Sequence, residues 1–528
     1  MSTCWHKPLK DIPYNPNAAK RLMGDLTELM EWKAKGKLRY WFLTLAHRHH
    51  SPISQVFLGP FNKPAIVISD YREVSDILSR RDGLHFKRGI KVDSFKGIIP
   101  HSFSAMETFD PRFKPNREMA KGLMAPSWLF NTNSRYIYRG ALDIVRIWRT
   151  NPQLEPRSSR DVANDIKSFA FATIWAAAFG FPLGGFDESE SSKSLITIAD
   201  DESRTQESDR RAARTQWPEE FQSLNILADA LAKSFYSPFP RLYHAINNLR
   251  PAVRNAWRTM GKHTSSYNIH TDPNTVSSAR NALYQQEHRI AEKEGRKFDP
   301  EDPRSYLLAG YDTTAGAIIW CVRHLFAHPD WQDRIRKDLY ATYPKAHHED
   351  RLPDYAEIQA ERSSLLDAFI EEVLRLTTPV ITVMLETRYD TKVLGYHIPA
   401  NTKVFCNLCQ SSQAYVGHMK KESWVHDEPE LFKPERWLVK DADDKTRFDP
   451  AAGPMLGFSA GNRGCWGQRL AYLEIRIFLA VVLWELKLEG VKEQSWDLYE
   501  SLVTAPKNTA SVIPQSNDHF VLFDNWPY

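Results

Sequence analysis

The chain has 528 residues, of which 42% are hydrophobic and 25% are charged, and its net charge is +4. This balance is ordinary for a globular protein and excludes a disordered or fibrous chain. The charge is too small to favour a nucleic-acid partner. Length alone predicts about two or three domains, and the sequence shows neither a membrane-spanning apolar run nor a signal-peptide core.

Cysteine usage indicates the compartment. The chain has five cysteines, a small and odd number, which favours a reducing, intracellular compartment over a disulfide framework. Cys406 and Cys409 have the spacing of zinc ligands, but no second Cys/His pair accompanies them. We therefore interpret them as two structural cysteines.

The first part of the chain mixes helical and strand patterns. Residues 1–50 are predicted to be an N-terminal segment without a membrane anchor, whose amphipathic helix suits the protein body or a membrane surface. Residues 55–58 and 65–68 predict a pair of strands. Asp70 is expected to begin a helix that runs through Leu78.

The following segments differ in polarity. Residues 85–109 have no clear period and are predicted to be a loop, whereas residues 169–181 predict a buried helix. Residues 188–214 are rich in Ser, Asp, Glu and Arg and predict a solvated loop. Residues 227–295 are expected to be mostly helical.

An acid and a hydroxyl lie side by side in an apolar helical stretch. Asp312 and Thr313 follow Gly310, and a buried acid costs desolvation free energy unless it is paired or used. Gly310 and the threonine pair Thr313–Thr314 weaken the helix locally and are expected to leave room for a small ligand. Because Pro303 lies upstream, we expect the helix to begin near it, with a shortened N-terminal half.

Ionic groups recur later in the chain. Glu372 and Arg375 lie about one helical turn apart, which alone predicts an ordinary surface ion pair. Arg436 follows in a loop between two aromatic residues, and residues 393–404 predict a hairpin.

Glycines surround Cys465 immediately before an amphipathic helix. They permit a tight loop whose backbone approaches another group closely. The unpaired amides and positive dipole end of a helix N-terminus lower the pKa of a thiol, so Cys465 is predicted to be a thiolate. Such a thiolate is either a nucleophile or a metal ligand, and a single thiolate suits a haem iron.

This loop resembles the signature Phe-x-x-Gly-x-Arg-x-Cys-x-Gly of the cytochrome P-450 family. The matching residues are Phe458, Gly461, Arg463, Cys465 and Gly467. The resemblance covers the chain from about Lys7 onward and is strongest to filamentous-fungal members. It implies a haem b cofactor with Cys465 as the axial iron ligand and the other four residues as its loop.

The resemblance extends to supporting residues. Arg117 lies in a segment similar to the family's Trp-x-x-x-Arg helix, with Phe113 in place of tryptophan, and would pair with a haem propionate. Glu372, Arg375 and Arg436 would form an ionic triad that locks the cysteine loop.

Two further positions follow from the same resemblance. Asp312 would gate proton entry, and Thr313 would hydrogen-bond the bound oxygen. Leu385 stands where relatives usually carry a second propionate-binding arginine, so that anchor is expected to be missing.

The implied architecture is mainly α with a small β part, an α+β fold with haem between a long distal helix and a proximal helix after the cysteine loop. Residues 51–528 would form one haem-binding catalytic domain, which replaces the estimate from length. Its β-rich parts would lie near residues 53–70 and 385–410.

The activity that the resemblance implies is monooxygenation, in which one oxygen atom of O2 is inserted into an apolar small molecule, and the similarity to fungal members implies a role in secondary metabolism. Electrons would come from NADPH through an NADPH-cytochrome reductase, and the family expectation is the cytosolic face of the endoplasmic reticulum. A haem-thiolate isomerase or dehydratase acting on a peroxide is the first alternative, although it needs no Asp312–Thr313 pair. A non-catalytic haem sensor or carrier is the second, and a cysteine hydrolase is weaker because the loop contains no histidine.

Overall fold

The computed structural model describes residues 5–60, 62–119, 124–149, 159–179, 218–266, 302–411, 429–488, 498–500 and 503–506. The helices before residue 180 are α1 (Pro16–Ala19), α2 (Leu26–Ala34), α3 (Leu38–His49), α4 (Tyr71–Asp76), α5 (Lys91–Lys96), α6 (Phe113–Met119), α7 (Pro126–Trp128), α8 (Ser134–Arg149) and α9 (Ser159–Phe179). The later helices are α10 (Glu219–Phe235), α11 (Pro240–Asn247), α12 (Pro251–Ser266), α13 (Asp302–Ala327), α14 (Pro329–Thr342), α15 (Pro344–His348), α16 (Tyr355–Ala360), α17 (Ser364–Thr377), α18 (Leu408–Ser411) and α19 (Gln468–Glu485).

Short strands and tight turns complete the described structure. The strands are β1 (Ile53–Val56), β2 (Ala65–Ile68), β3 (Phe86–Lys87), β4 (Thr382–Thr387), β5 (Thr391–Val393), β6 (Tyr396–Ile398), β7 (Lys403–Asn407), β8 (Leu438–Lys440), β9 (Thr446–Phe448), β10 (Leu498–Glu500) and β11 (Thr504–Pro506). Single π-helical turns occupy Ile77–Arg81 and Leu129–Asn133, and 3₁₀ turns occupy Phe103–Ala105, Pro434–Trp437 and Gly461–Arg463. Among the helices in these ranges, none combines the length and apolar character needed to cross a bilayer.

The main sheet has five strands in the order β1-β2-β7-β4-β3. β2 runs parallel to β7, and the other neighbouring pairs are antiparallel. The first predicted strand pair is present, but Ile53 pairs with Ile68, so its first strand begins before residue 55. The predicted hairpin is β5–β6, in which Val393 pairs with Tyr396.

The segment 85–109 is more structured than its sequence indicates. It contains β3, α5 and the 3₁₀ turn, so the prediction of a loop is wrong. β3 forms because β4 pairs with it, joining Phe86 to Thr387, and such tertiary pairing leaves no local periodicity to read. The start of α4 follows the prediction, since the Asp70 side chain accepts a hydrogen bond from the Glu73 N–H at 2.8 Å.

The largest hydrophobic core lies among the long helices. Phe169 of α9, Ile318 of α13, Phe369 of α17 and Phe478 of α19 are completely buried in it. This core fixes α19, the helix that follows Cys465, against α8 and α9, while α9 packs along α13. The two helices that bear the candidate chemistry are therefore positioned by one continuous core.

Two predictions concern residues that lie wholly or partly outside the described ranges. α13 begins at Asp302, beside the predicted start near Pro303, but residues 267–301 lie outside the described ranges. The shortened N-terminal half of this helix therefore stays a prediction. The predicted loop at residues 188–214 also lies outside them.

Candidate haem site

Cys465 lies just before Gly467, the residue that caps the N-terminus of α19. Its backbone N–H donates to the Phe458 carbonyl at 2.7 Å, and the Gly467 N–H hydrogen-bonds the sulfur. Desolvation by the surrounding protein atoms raises the pKa of the Cys465 thiol, although solvent still reaches the side chain. The predicted lowering of this pKa is therefore wrong, because desolvation outweighs the Gly467 amide and the nearby Arg117 charge.

The raised pKa separates the two roles that the sequence left open. A free cysteine nucleophile needs a lowered pKa, whereas a metal ion deprotonates a coordinating thiol by itself. The environment of Cys465 therefore favours a metal ligand over a hydrolytic nucleophile.

Gly461 and Gly467 of the cysteine loop have different surroundings. Gly461 has a φ of +67°, and a Cβ there would lie 2.3 Å from the Leu78 carbonyl oxygen, so the loop packs tightly on the π-helical turn. A Cβ at Gly467 would meet no atom of the described residues within 4 Å. Among the described residues, no atom therefore fills the space that a side chain at Gly467 would occupy, two positions after Cys465.

Arg463 holds the cysteine loop to the segment before α6. Its Nε donates to Thr108 Oγ1 at 2.5 Å, it also donates to the Met106 carbonyl, and its guanidinium lies 4.2 Å from the centre of the Phe113 ring. Asp82 is 3.7 Å from the same Nε. The structure thus places Arg463 in the loop's support.

Arg117 reaches the same loop from α6. Its Nη2 donates to the Gly464 carbonyl at 2.8 Å, next to the cysteine. On the α19 side, Phe458 packs on Tyr472 with ring centres 4.9 Å apart, and the Tyr472 hydroxyl donates to Glu371 at 2.5 Å. Burial raises the pKa of Glu371 to about 7, against the Tyr472 hydrogen bond.

Arg88 is a residue of this region that the sequence reasoning missed. Its Nε is buried and has no hydrogen-bond partner among the described residues. β3 pairs Lys87 with Glu386, so the next position in register lies beside Leu385, where the expected arginine is missing. The position of Arg88 beside Leu385 depends on the pairing of β3 with β4, which cannot be predicted from the sequence alone.

Arg88 and Arg463 lie close enough for their charges to interact. Desolvation first, and then the Arg88 charge, lower the pKa of Arg463 to about 10. Asp82 and Glu107 are the nearby carboxylates, and Glu107 already accepts the backbone N–H groups of Arg88 and Gly89 at 2.8 and 2.9 Å. An anionic group such as a haem propionate fits the unpartnered Arg88 Nε.

The predicted ionic triad is assembled and buried. Arg375 donates to both Glu372 oxygens at 2.7 and 2.8 Å, and Arg436 Nε lies 3.3 Å from Glu372 Oε1. The sequence missed two partners: the Trp437 indole N–H and the Lys433 backbone N–H each donate to Glu372 at 2.9 Å. The expectation of an ordinary surface pair is wrong, since the Glu372 and Arg375 side chains are fully buried.

Asp312 and Thr313 lie in the middle of α13. Thr313 Oγ1 donates to the Ala309 carbonyl at 2.6 Å. Burial raises the pKa of Asp312, and the Lys167 charge on α9 opposes this shift. A carboxyl group with a raised pKa can hold and release a proton.

Gly310 has a different role from the one expected. A Cβ on Gly310 would lie 2.6 Å from Ile174 Cγ1, so the missing side chain is needed for close packing of α13 on α9. The expectation that Gly310 leaves room for a ligand is therefore wrong. Its neighbour Tyr311 donates to Asn225 Oδ1 of α10 at 2.8 Å, which ties a third helix to this turn.

An accessible cysteine before a helix, open space at Gly467 and a buried, unpartnered Nε on Arg88 together fit a haem-thiolate type of site. The family model for cytochrome P-450 matches residues 22–512, so the chain belongs to the cytochrome P-450 family. The predicted family is confirmed. Members of this family use haem with a thiolate ligand, a small-molecule substrate and electrons supplied by a reductase.

Individual relatives agree with this assignment. The chain is 26% identical to the cytochrome P-450 monooxygenase TRI13 of Fusarium sporotrichioides, over 95% of this chain and 94% of that protein. It is 27% identical to the cytochrome P-450 monooxygenase xilC of Penicillium crustosum, over 92% and 88% of the two chains. The crystal structure of the cytochrome P-450DA haem domain superposes with a TM-score of 0.70 at 15% identity, covering 96% of this chain and 97% of that one. This match confirms the predicted fold.

Proposed function

We propose that this protein is a haem-thiolate monooxygenase that transfers one oxygen atom from O2 to an apolar small molecule in secondary metabolism. The observation that carries the proposal is the accessible Cys465, held before α19 in a chain whose long helix α13 bears Asp312 and Thr313. The fungal relatives named as monooxygenases support the same reaction class. An enzyme that rearranges a peroxide needs no acid–hydroxyl pair, so this pair favours oxygen chemistry.

The residues around the loop provide the cofactor site. The haem, when bound, supplies oxygen activation, with the iron held by the Cys465 sulfur. Arg88 and Arg117 are suited to bind the propionates, because both are charged and one buried Nε is unpartnered. The Glu372 triad and Arg463 keep the loop rigid without touching the reacting atoms.

Asp312 and Thr313 are proposed to move protons. Because burial raises the pKa of Asp312, its carboxyl can take a proton from solvent and pass it on. Thr313 Oγ1 donates its hydrogen bond to the Ala309 carbonyl, so the lone pairs of the oxygen can accept a hydrogen bond from a donor such as water.

The ligand assignment is tested by a carbon monoxide difference spectrum of the reduced, haem-loaded protein. The wild type should show the thiolate-type band, and Cys465→Ser should lose it while Cys321→Ala, a buried core cysteine of α13, keeps it. A wild type that binds haem without this band contradicts the proposal.

The proton role is tested by product formed per reductant consumed. Thr313→Ala should lower this ratio and release peroxide, whereas Thr314→Ala alters a neighbouring buried threonine and should not. Equal ratios in the two variants would remove Thr313 from the proton path.

The partners follow from the family and the surface. We propose electron supply from NADPH through an NADPH-cytochrome reductase, tested by reconstituting NADPH-dependent turnover. We also propose peripheral contact with the endoplasmic reticulum, supported by exposed Phe239, Leu242, Ile246 and Leu249 around α11 and by the absence of acidic residues from 237 to 266. Sedimentation with anionic phospholipid vesicles should fall when Leu242 and Ile246 are replaced by serine.

A further inference from the structure

Glu474 is a buried acid on α19 that the proposed mechanism does not use. Its side chain is 2% exposed, and its Oε1 contacts Thr173 Oγ1 of α9, another buried side chain. No lysine or arginine of the described ranges forms an ion pair with it. A carboxylate in such a place lacks the opposite charge that normally compensates burial.

The hydrogen-bond geometry allows Glu474 to act as a donor. The Thr173 hydroxyl lies 3.0 Å from the Phe169 carbonyl and 3.1 Å from the Ala170 carbonyl of its own helix. It can therefore donate its single proton to one of these carbonyls and accept the proton of a neutral Glu474. Burial raises the pKa of Glu474 to about 8, so the carboxyl is neutral near pH 7 and can donate this proton.

The contact has a particular place in the fold. Thr173 is followed by Ile174, the residue that packs against Gly310 beside the acid–hydroxyl turn of α13. Successive residues of α9 therefore contact α19, the helix that follows Cys465, and α13. These two residues of α9 therefore connect the helix after Cys465 to the turn of α13 that bears Asp312.

We propose that Glu474 is a positioning residue, which as a neutral acid holds α19 against α9 and so sets the width of the haem site between α19 and α13. This inference rests on the proposed function. Ionisation of Glu474 breaks its donated hydrogen bond to Thr173, leaves an uncompensated charge between the helices and loosens the site. The proton released goes to solvent.

Other ionisable groups on the packed helices do not account for this behaviour. They are Arg149 on α8, Lys167 on α9, Asp312 on α13, Arg336 on α14 and Asp367 and Glu371 on α17. The influences on the pKa of Glu474 are its burial and Thr173.

The sign of the pH effect follows from the raised pKa. Below about pH 4.5 both the folded and unfolded states hold the proton, and between there and about pH 8 only the folded state does. The contribution of Glu474 to the stability of the folded state therefore falls as pH rises from about 4.5 to about 8. Above about pH 8 the folded protein loses this proton as well.

The experiment uses the haem-loaded protein and the thiolate-type carbon monoxide band, measured after incubation from pH 6 to 9.5. The wild type should lose the band with a midpoint near about pH 8, and Glu474→Gln, which keeps a donor but cannot ionise, should keep it well beyond that pH. Glu485→Gln, an acid-to-amide change on the same helix at a residue paired with Arg149, should titrate like the wild type. Equal midpoints for Glu474→Gln and the wild type overturn the inference.

A second variant covers the case in which Glu474→Gln does not fold. Thr173→Val removes the acceptor of the Glu474 proton and with it the contact between α19 and α9, so the band should be lost at lower pH than in the wild type. An unchanged midpoint in Thr173→Val also overturns the inference. A wild type without the band at pH 7 overturns the proposed function instead, so the two failures are distinguishable.

Discussion

Gly310 of α13 lies so close to Ile174 of α9 that a Cβ on the glycine would come within 2.6 Å of Ile174 Cγ1. Gly310→Ala should therefore destabilise the protein by about 1–3 kcal/mol through overpacking, less the roughly 1 kcal/mol that alanine gains over glycine in a helix. Urea unfolding of the two proteins measures the difference.

Gly261 provides the matched control for this substitution. It lies inside α12, and a Cβ there would meet no described atom within 4 Å. Gly261→Ala should stabilise the protein by about 0.5–1 kcal/mol. If both alanine variants change stability in the same direction, close packing at Gly310 is not the reason for its glycine.

The buried ionic triad should be intolerant of losing one partner. Arg375→Leu leaves Glu372 with Arg436, Trp437 and the Lys433 amide but removes its two shortest charged contacts. We expect a loss of about 3–5 kcal/mol in unfolding free energy and poor haem retention. Asp229→Ala breaks an exposed pair with Lys233 and should cost less than about 1 kcal/mol. Similar costs for the two variants would show that the triad does not lock the loop.

Arg88 should contribute to haem affinity. Arg88→Gln removes the charge beside the Leu385 gap, and loss of one charge-assisted hydrogen bond of about 1.5–3 kcal/mol corresponds to roughly a tenfold to hundredfold weaker haem binding. Titration of the haem-free protein with haem measures this change. Arg80→Gln, an exposed arginine of the preceding turn, is the control and should bind haem normally. Normal binding by both variants would exclude a propionate role for Arg88.

Asp25 should make the stability of the N-terminal region depend on pH. Its side chain is 5% exposed and accepts the Phe57 N–H at 2.8 Å, and burial raises its pKa from 3.8 to about 6. Stability therefore falls as pH rises from about 4 to about 6, because only the folded state keeps the proton there.

Asn at position 25 retains the acceptor but cannot ionise. At pH 7 Asp25→Asn should be more stable than the wild type by at most about 3 kcal/mol, and its stability should change less between pH 4 and 6. Asp25→Ala loses the hydrogen bond as well and should show no such gain. Parallel pH curves for the wild type and Asp25→Asn would contradict the assignment.

The family, the candidate cysteine ligand and the members of the ionic triad could all be predicted from the amino-acid sequence. The first two features depend on residue types at short, fixed spacings, such as Arg463 and Gly467 around Cys465, and on helical periodicity. Arg436 is distant from Glu372 in sequence, so its place in the triad was predicted from the family resemblance alone.

Only the tertiary structure decided the environment of these residues. The raised pKa of Cys465, the complete burial of Glu372, the need for Gly310 and the register that brings Arg88 beside Leu385 all arise from chain segments distant in sequence. Desolvation and close packing depend on which atoms surround a group in space, and local sequence carries little record of that.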